Sequence, residues 1–249
     1  MRILLLIGSV ALCIARPFDH LYNKDVVTEI SVRAMHRPEN ATGNGGLTGR
    51  EWFQRNLEPS VRCPLDVRIG AVGDGGKWTC DPDILLSKGN CTVMSVGSSN
   101  EYSFEAGLEP YNCDVHTYDP TIVPDASKPE YVKFHSLGLG TDPGTSLTDL
   151  IRTTSSHNID ILKVDCESCE WAVLMDDDAI SAMRSHVTQF LIEFHWRDVQ
   201  TMETVGDRLL DAGFRVFSKE PNIQFSDGSC IEYSFINMHR AHGAHLRVL

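Results

Sequence analysis

Seven short runs of apolar, β-favouring residues recur along this chain, separated mostly by helix-compatible stretches, and that alternation constrains the fold more than any other feature. The runs are TVMSVG (92–97), DVHTYD (114–119), YVKFHS (131–136), DILKVD (160–165), QFLIEF (189–194), RVFSKE (215–220) and IEYSFIN (231–237). Among the stretches between them, EYSFEAGL, TSLTDLIRTT, EWAVLMDDDAISAMR and METVGDRLLDAG each read as a helix. Strands separated by helices predict crossover connections, hence a doubly wound, mostly parallel α/β sheet. Only the turn-like PNIQFSDGS separates the last two runs, which predicts a terminal antiparallel hairpin.

Residues 1–16 have the grammar of a signal peptide: Arg2, an apolar stretch from Ile3 to Ala15, and small residues at its end. The stretch is short for a membrane span, so a span is expected only if the signal is retained as an anchor. Residues 17–46 read as an arm ending in the turn-rich RPENATGNGG, and 47–249 as one folded domain. That domain opens on LTGREWFQRNL, a predicted helix with Thr48 and Glu51 as capping box and Trp52, Phe53 and Leu57 as apolar stripe. Sequons at Asn40 and Asn90, together with eight cysteines, fit an oxidising compartment, the secretory lumen or the exterior. Cys63 and Cys80 flank the glycine-rich RIGAVGDGGKWTC, and Cys91 and Cys113 precede adjacent strands, so the expected disulfides are 63–80 and 91–113. A net charge of −12, from 34 acids against 22 lysines and arginines, argues against non-specific nucleic-acid binding.

Ligands of open α/β sheets bind beyond the carboxyl ends of the strands, so the strand-end residues carry the functional reading. Gly97 ends the first run and lets the backbone turn sharply. The turn after it, with Ser98, Asn100 and Glu101, offers N–H groups to a ligand. Asp119 ends the second run at the roughly 20-residue spacing of the nucleoside-binding fingerprint, where a carboxylate accepts from ribose hydroxyls. Leu139, between Gly138 and Gly140, lies in a loop able to rest against a base. Asp165 ends the fourth run, and Glu193 and His195 end the fifth. If those strands are neighbours, the three converge, with histidine as general base and the carboxylates orienting it or holding a cation.

Cys166 and Cys169 beyond Asp165 are open to a metal, a redox or a disulfide reading. Zinc lacks a second CxxC, and no metal ligand is assigned. The tail histidines, His239, His242 and His245, read as a solvated terminus. GDGGKW lacks the spacing of a phosphate loop. Asp74 and Lys77 are expected instead to fold over the crevice from the N-terminal side.

With these residues in view, IDILKVDCESCEW resembles the iDiLKiDvEGaE signature of FkbM-type methyltransferases, and FLIEFHW resembles the strand that follows it. RIGAVGDGGKWTCDP, SVGSSNEYSFE, VHTYDPT and ILKVDCESCEW together resemble the secreted methyltransferase-like domain proteins of animals, from about Arg62 to the C-terminal strands. The resemblance implies a class I, seven-stranded Rossmann-like fold and S-adenosylmethionine (SAM) as cofactor. Gly97 and its turn would lie by the methionine part, Asp119 on the ribose, and Asp165 near the methyl group and acceptor. The chain departs from the pattern in its reduced VGSSN turn and in the serine of CESC. The reading is a SAM-dependent methyltransferase, acting on oxygen of a small-molecule or glycan acceptor. The alternative is an inactive secreted binding domain on the same scaffold.

Expression in a secreting cell line should therefore release a product whose mass falls on glycosidase treatment. Asn40 should be the better acceptor, because Asn90 neighbours a cysteine expected to be bonded early. A cytosolic, unshifted product would contradict the reading of the leader.

Overall fold

The structure is a computed structural model and describes residue 52 and residues 56–87, 89–142, 144–222, 230–241 and 245–249. The leader, the arm, Asn40 and the Thr48–Glu51 capping box lie outside the described residues. Of the first expected helix, Trp52, Asn56 and Leu57 are described: Trp52 is buried in the core and Leu57 packs against it.

Strands β1 (Val61–Arg62), β2 (Asp66–Ile69) and β3 (Lys77–Cys80) come first, then helix α1 (Pro82–Leu85), β4 (Thr92–Val96), α2 (Ser103–Gly107), β5 (Asp114–Tyr118) and β6 (Lys133–His135). Next are α3 (Leu147–Ile151), β7 (Ile159–Val164), α4 (Cys169–Leu174), α5 (Asp177–His186), β8 (Val187–His195), α6 (Val199–Asp211), β9 (Phe214–Pro221), β10 (Cys230–Asn237) and β11 (Arg247–Val248). The main sheet has seven strands in the order β6-β5-β4-β7-β8-β10-β9. From β6 to β8 every pairing is parallel. β10 runs antiparallel to both β8 and β9. This is the doubly wound sheet with its terminal hairpin, and all seven sequence runs form its strands.

The central strands are buried on both faces, so their apolar residues divide between two layers. Met94, Val96, Leu162, Val164, Phe190 and Ile192 face α3 to α6. Val93, Val115, Ile161, Leu191 and Ile236 face α1, α2 and the β2–β3 hairpin. Each such side chain, fully buried, stabilises the fold by about 1.5–3 kcal/mol.

Two elements differ from the sequence reading. EWAVLMDDDAISAMR is two helices, because Asp176 leaves the helical region (φ −83°, ψ 129°) and its side chain accepts from Ala179 N. Asp177 and Asp178 then occupy the first turn and Arg184 and His186 the last, as the helix dipole favours. The glycine-rich segment hides the β2–β3 hairpin. It is a two-stranded sheet of its own, and contacts with the main sheet secure it. Gln189 acts as a surrogate strand there, accepting from Cys80 N at 2.8 Å and donating to Cys80 O at 3.1 Å. Ser234 donates to Trp78 O at 2.9 Å, and Trp78 Nε1 donates to Glu220 at 3.0 Å.

Cys63 and Cys80 are bonded, as are Cys91 and Cys113 and, across the CxxC, Cys166 and Cys169. The first bond fastens the end of β3 to the chain 17 residues earlier. Closing a loop of that size stabilises by about 3 kcal/mol. The Cys63→Ser, Cys80→Ser double variant should lose about that much in denaturant unfolding. Non-reduced peptide mapping that finds Cys63 and Cys80 as thiols would refute the pairing.

Candidate active site

The turn after β4 is set by a steric constraint. Gly97 has φ +78°, and a Cβ there would stand 1.7 Å from the carbonyl oxygen of Asp165. Only glycine lets the ends of β4 and β7 approach so closely. Lys163, buried in β7, donates to Gly97 O at 3.0 Å and fixes the same junction. Ser99 and Asn100 continue in left-handed conformations.

Asp119 follows β5 and is 4% exposed. Its Oδ2 accepts from the backbone N–H groups of Ser98 and Ser99, both at 3.0 Å. Its Oδ1 accepts from Thr121 N at 2.9 Å and the Thr121 hydroxyl at 2.6 Å. Burial pushes the carboxyl's pKa up, but these donors, the Thr121 hydroxyl first, outweigh it and hold it below the usual range. Within the turn expected to offer N–H groups to a ligand, those of Ser98, Ser99 and Glu101 are thus used within the chain. Glu101 N donates to Ser98 O, and the Glu101 carboxylate accepts from Ser103 N. Asn100 bonds the loop beyond Asp119 through Val123 O and Asp125 N. Leu139 is 6% exposed within the main hydrophobic cluster. Its side chain packs in the core, so only the backbone of this loop is left to face the crevice.

β7 and β8 are neighbours, with Val164 opposite Ile192. Asp165, Glu193 and His195 therefore converge, each offering a ligand atom within 4.8 Å of the others. The hairpin adds Lys77, whose Nζ lies 2.5 Å from Glu232 Oε1 and 3.3 Å from Asp165 Oδ2. Asp74 stays local, accepting from Gly75 N. Burial would lower the Lys77 pKa, but Glu232 and Asp165 outweigh it and raise it, so the ammonium stays charged.

The acids divide. Burial pushes Asp165 up, yet Lys77 and Lys163 outweigh it and hold it below the ordinary value. Burial, then the charge of Asp165, raises Glu193, which accepts from Asn222 Nδ2 at 2.8 Å and from Cys230. Burial pushes the Glu232 carboxyl up, against the pull of Lys77. Carboxyls pushed apart in this way are the usual mark of acid–base work. Glu232 escaped the sequence reading, because its place follows from the antiparallel register that sets it opposite Glu193.

His195 Nδ1 lies 3.0 Å from Glu170 Oε1, which also accepts from the His195 backbone N–H. Burial would lower the imidazole's pKa, but Glu170 above all, then Glu167 and Glu193, raise it to about 9. At neutral pH the ring is therefore an imidazolium, with no lone pair ready to take a proton. The three acids of DCESCE are sorted by position: Asp165 is paired with Lys77, Glu170 is buried on His195, and Glu167 is exposed. A separate polar groove between α3 and α5, lined by Asp149, Arg152, Asp176 and His186, shares none of these residues.

A family model described as "Methyltransferase domain" matches residues 19–237. "Probable methyltransferase-like protein 24" of Homo sapiens is 26% identical over 120 residues, 42% of this chain and 32% of that protein. The protein of the same name from Rattus norvegicus is also 26% identical, over 33% of its length. The match spans about a third of these relatives. Among solved structures, the Methanococcus jannaschii fibrillarin pre-rRNA processing protein is 11% identical, with a TM-score of 0.42 over 70% of this chain and 84% of that one. The Burkholderia thailandensis 1,6-didemethyltoxoflavin-N1-methyltransferase, with bound 1,6-didemethyltoxoflavin and S-adenosylhomocysteine, is 12% identical, with a TM-score of 0.39 over 59% of this chain and 71% of that one. With the family model covering most of its length, the chain belongs to the methyltransferase-domain family.

Proposed function

We propose that this protein is a SAM-dependent methyltransferase that methylates an oxygen of a small-molecule or glycan acceptor, in the secretory pathway or outside the cell. The observation that carries the reading is the meeting, at the strand ends, of the Gly97 turn, Asp119 and the Asp165–Glu193 pair. The residues fit the cofactor. Gly97 turns the chain sharply enough to bring the ends of β4 and β7 together at the crevice, and Asp119 is a carboxylate at the place where ribose hydroxyls are held. Its four acceptor positions are taken, and of the four donors only the Thr121 hydroxyl is free to rotate away. A ribose hydroxyl would replace it.

When bound, SAM supplies a sulfonium methyl group open to direct displacement by a nucleophile. The chain's own residues orient the acceptor and handle its proton, which is where positioning and acid–base effects act. Glu193, with its raised proton affinity, takes the acceptor's proton. Asp165, held ionised by Lys77 and Lys163, accepts a hydrogen bond from the acceptor and orients it. The cationic His195, braced by Glu170, supports negative charge developing on the acceptor oxygen. The competing reading, a binding domain without catalysis, draws on the saturated carboxylate of Asp119.

Calorimetry with SAM and S-adenosylhomocysteine tests the cofactor. Asp119→Ala should weaken SAM about tenfold to a hundredfold, the loss of a charge-assisted hydrogen bond. Thr121→Val should act oppositely, tightening SAM by up to about tenfold, since it frees an acceptor position on Asp119. A wild-type protein that binds neither ligand at millimolar concentration sinks the enzyme reading in favour of the binding domain.

Glu193→Gln should separate chemistry from binding. Turnover of a methyl acceptor found by screening should fall about 10²–10⁴-fold, with SAM affinity nearly unchanged. An equal loss in both would remove Glu193 from the proton path.

A further inference from the structure

Asp165 and Glu193 each bring a carboxylate oxygen within 4.8 Å of the other and of a His195 ring nitrogen, and two carboxylates so close call for positive charge between them. Glu232 stands opposite Glu193 in the register and is 6% exposed. One of its oxygens receives Lys77, while the other, Oε2, is buried with no hydrogen-bond donor among the described residues. Such an atom in a low-dielectric site calls for positive charge. Lys77 brings a single positive charge to this side of the cluster, where Asp165, Glu193 and Glu232 lie together.

His195 adds a nitrogen donor held in the manner of a ligating imidazole. The Glu170 side chain is fully buried and fixes Nδ1. With Nδ1 as donor, the lone pair is on Nε2, the carboxylate–histidine arrangement that orients metal-binding rings. Glu167 places a further oxygen 3.4 Å from Nε2, on the exposed side. Cys166 and Cys169 offer no thiolate, because they are bonded to each other.

The geometry points to a divalent-cation site at the carboxyl ends of β7 and β8, ligated by Asp165, Glu193 and His195. Mixed carboxylate and imidazole donors favour a first-row ion such as Mn²⁺ over Ca²⁺. Ligation needs the neutral ring, so a bound cation takes the place of the imidazolium charge beside the acceptor oxygen. Three protein ligands leave coordination positions for water or for acceptor oxygens, and a cation-bound hydroxyl gives up its proton more readily. This role in catalysis rests on the methyl-transfer reading, whereas the binding of the cation does not.

The test is Mn²⁺ titration of the full secreted chain, by calorimetry and pulsed electron paramagnetic resonance, with circular dichroism to verify folding. One Mn²⁺ per chain is expected, with nitrogen coupling from an imidazole visible in the wild-type spectrum. Asp165→Asn and Glu193→Gln should each weaken binding about tenfold or more. His195→Gln should erase the nitrogen coupling. Several results would overturn the site. One is a folded wild-type chain that binds no Mn²⁺ at millimolar concentration. Others are nitrogen coupling that persists in His195→Gln, or binding that survives both isosteric variants. A last one is binding lost instead in His242→Ala or His245→Ala, which would place the ion on the tail. SAM calorimetry without added metal runs in parallel. SAM binding without Mn²⁺ uptake removes the cation and leaves the methyl-transfer reading, and the converse result does the reverse.

Discussion

The ammonium of Lys77 is buried, and it touches Asp165 and Glu232 at once. Removing one partner of a buried ion pair leaves an uncompensated charge and costs about 3–5 kcal/mol. The position of Lys77 depends on the hairpin, and the hairpin on a few specific contacts: the paired amide of Gln189, the Ser234 hydroxyl and the disulfide to Cys63. A segment with little apolar surface of its own thus carries the charge on which the strand-end acids depend. The opposite face of the sheet, packed against α3 to α6, supplies most of the hydrophobic core and little of the chemistry.

The second constraint is steric. At Gly97 the backbone of β4 comes against the carbonyl of Asp165, and Lys163 ties the two together. The Asp119 side and the Asp165–Glu193 side of the crevice therefore meet at one rigid junction. Asp119 extends that junction through the N–H groups of Ser98 and Ser99. The region that would hold a nucleoside and the region that would activate an acceptor are fixed by adjacent residues of a few strands.

The strands were legible in the sequence because they are buried on both faces, which writes continuous apolar runs. The convergence of Asp165, Glu193 and His195 was legible as well, since parallel neighbours end side by side. Other features were not. The β2–β3 strands are four residues each and are fastened by side chains distant in sequence, so no local period marks them. The break at Asp176 is a cap inside a stretch whose apolar spacing continues across it. The engagement of Asp119 depends on φ and ψ at Ser98 and Ser99, and the sorting of Glu167 from Glu170 on left-handed residues within CESC, at Glu167 and Ser168. Glu232 became part of the site through strand register, a tertiary property that no single motif records.

The placement of β10 has a consequence for biogenesis. It is the last strand of the main sheet to be synthesised, yet it lies inside the sheet, between β8 and β9. A nascent chain that has not reached Cys230 presents two unpaired strand edges where β10 will insert, the kind of surface that aggregates. Glu232 arrives with that strand, so the ammonium of Lys77 gains its closest counter-ion at the final step of sheet assembly. Completion of the sheet and neutralisation of its buried charge are then one event, and a chain interrupted before β10 would present chaperones with an open sheet and an unmatched ammonium together.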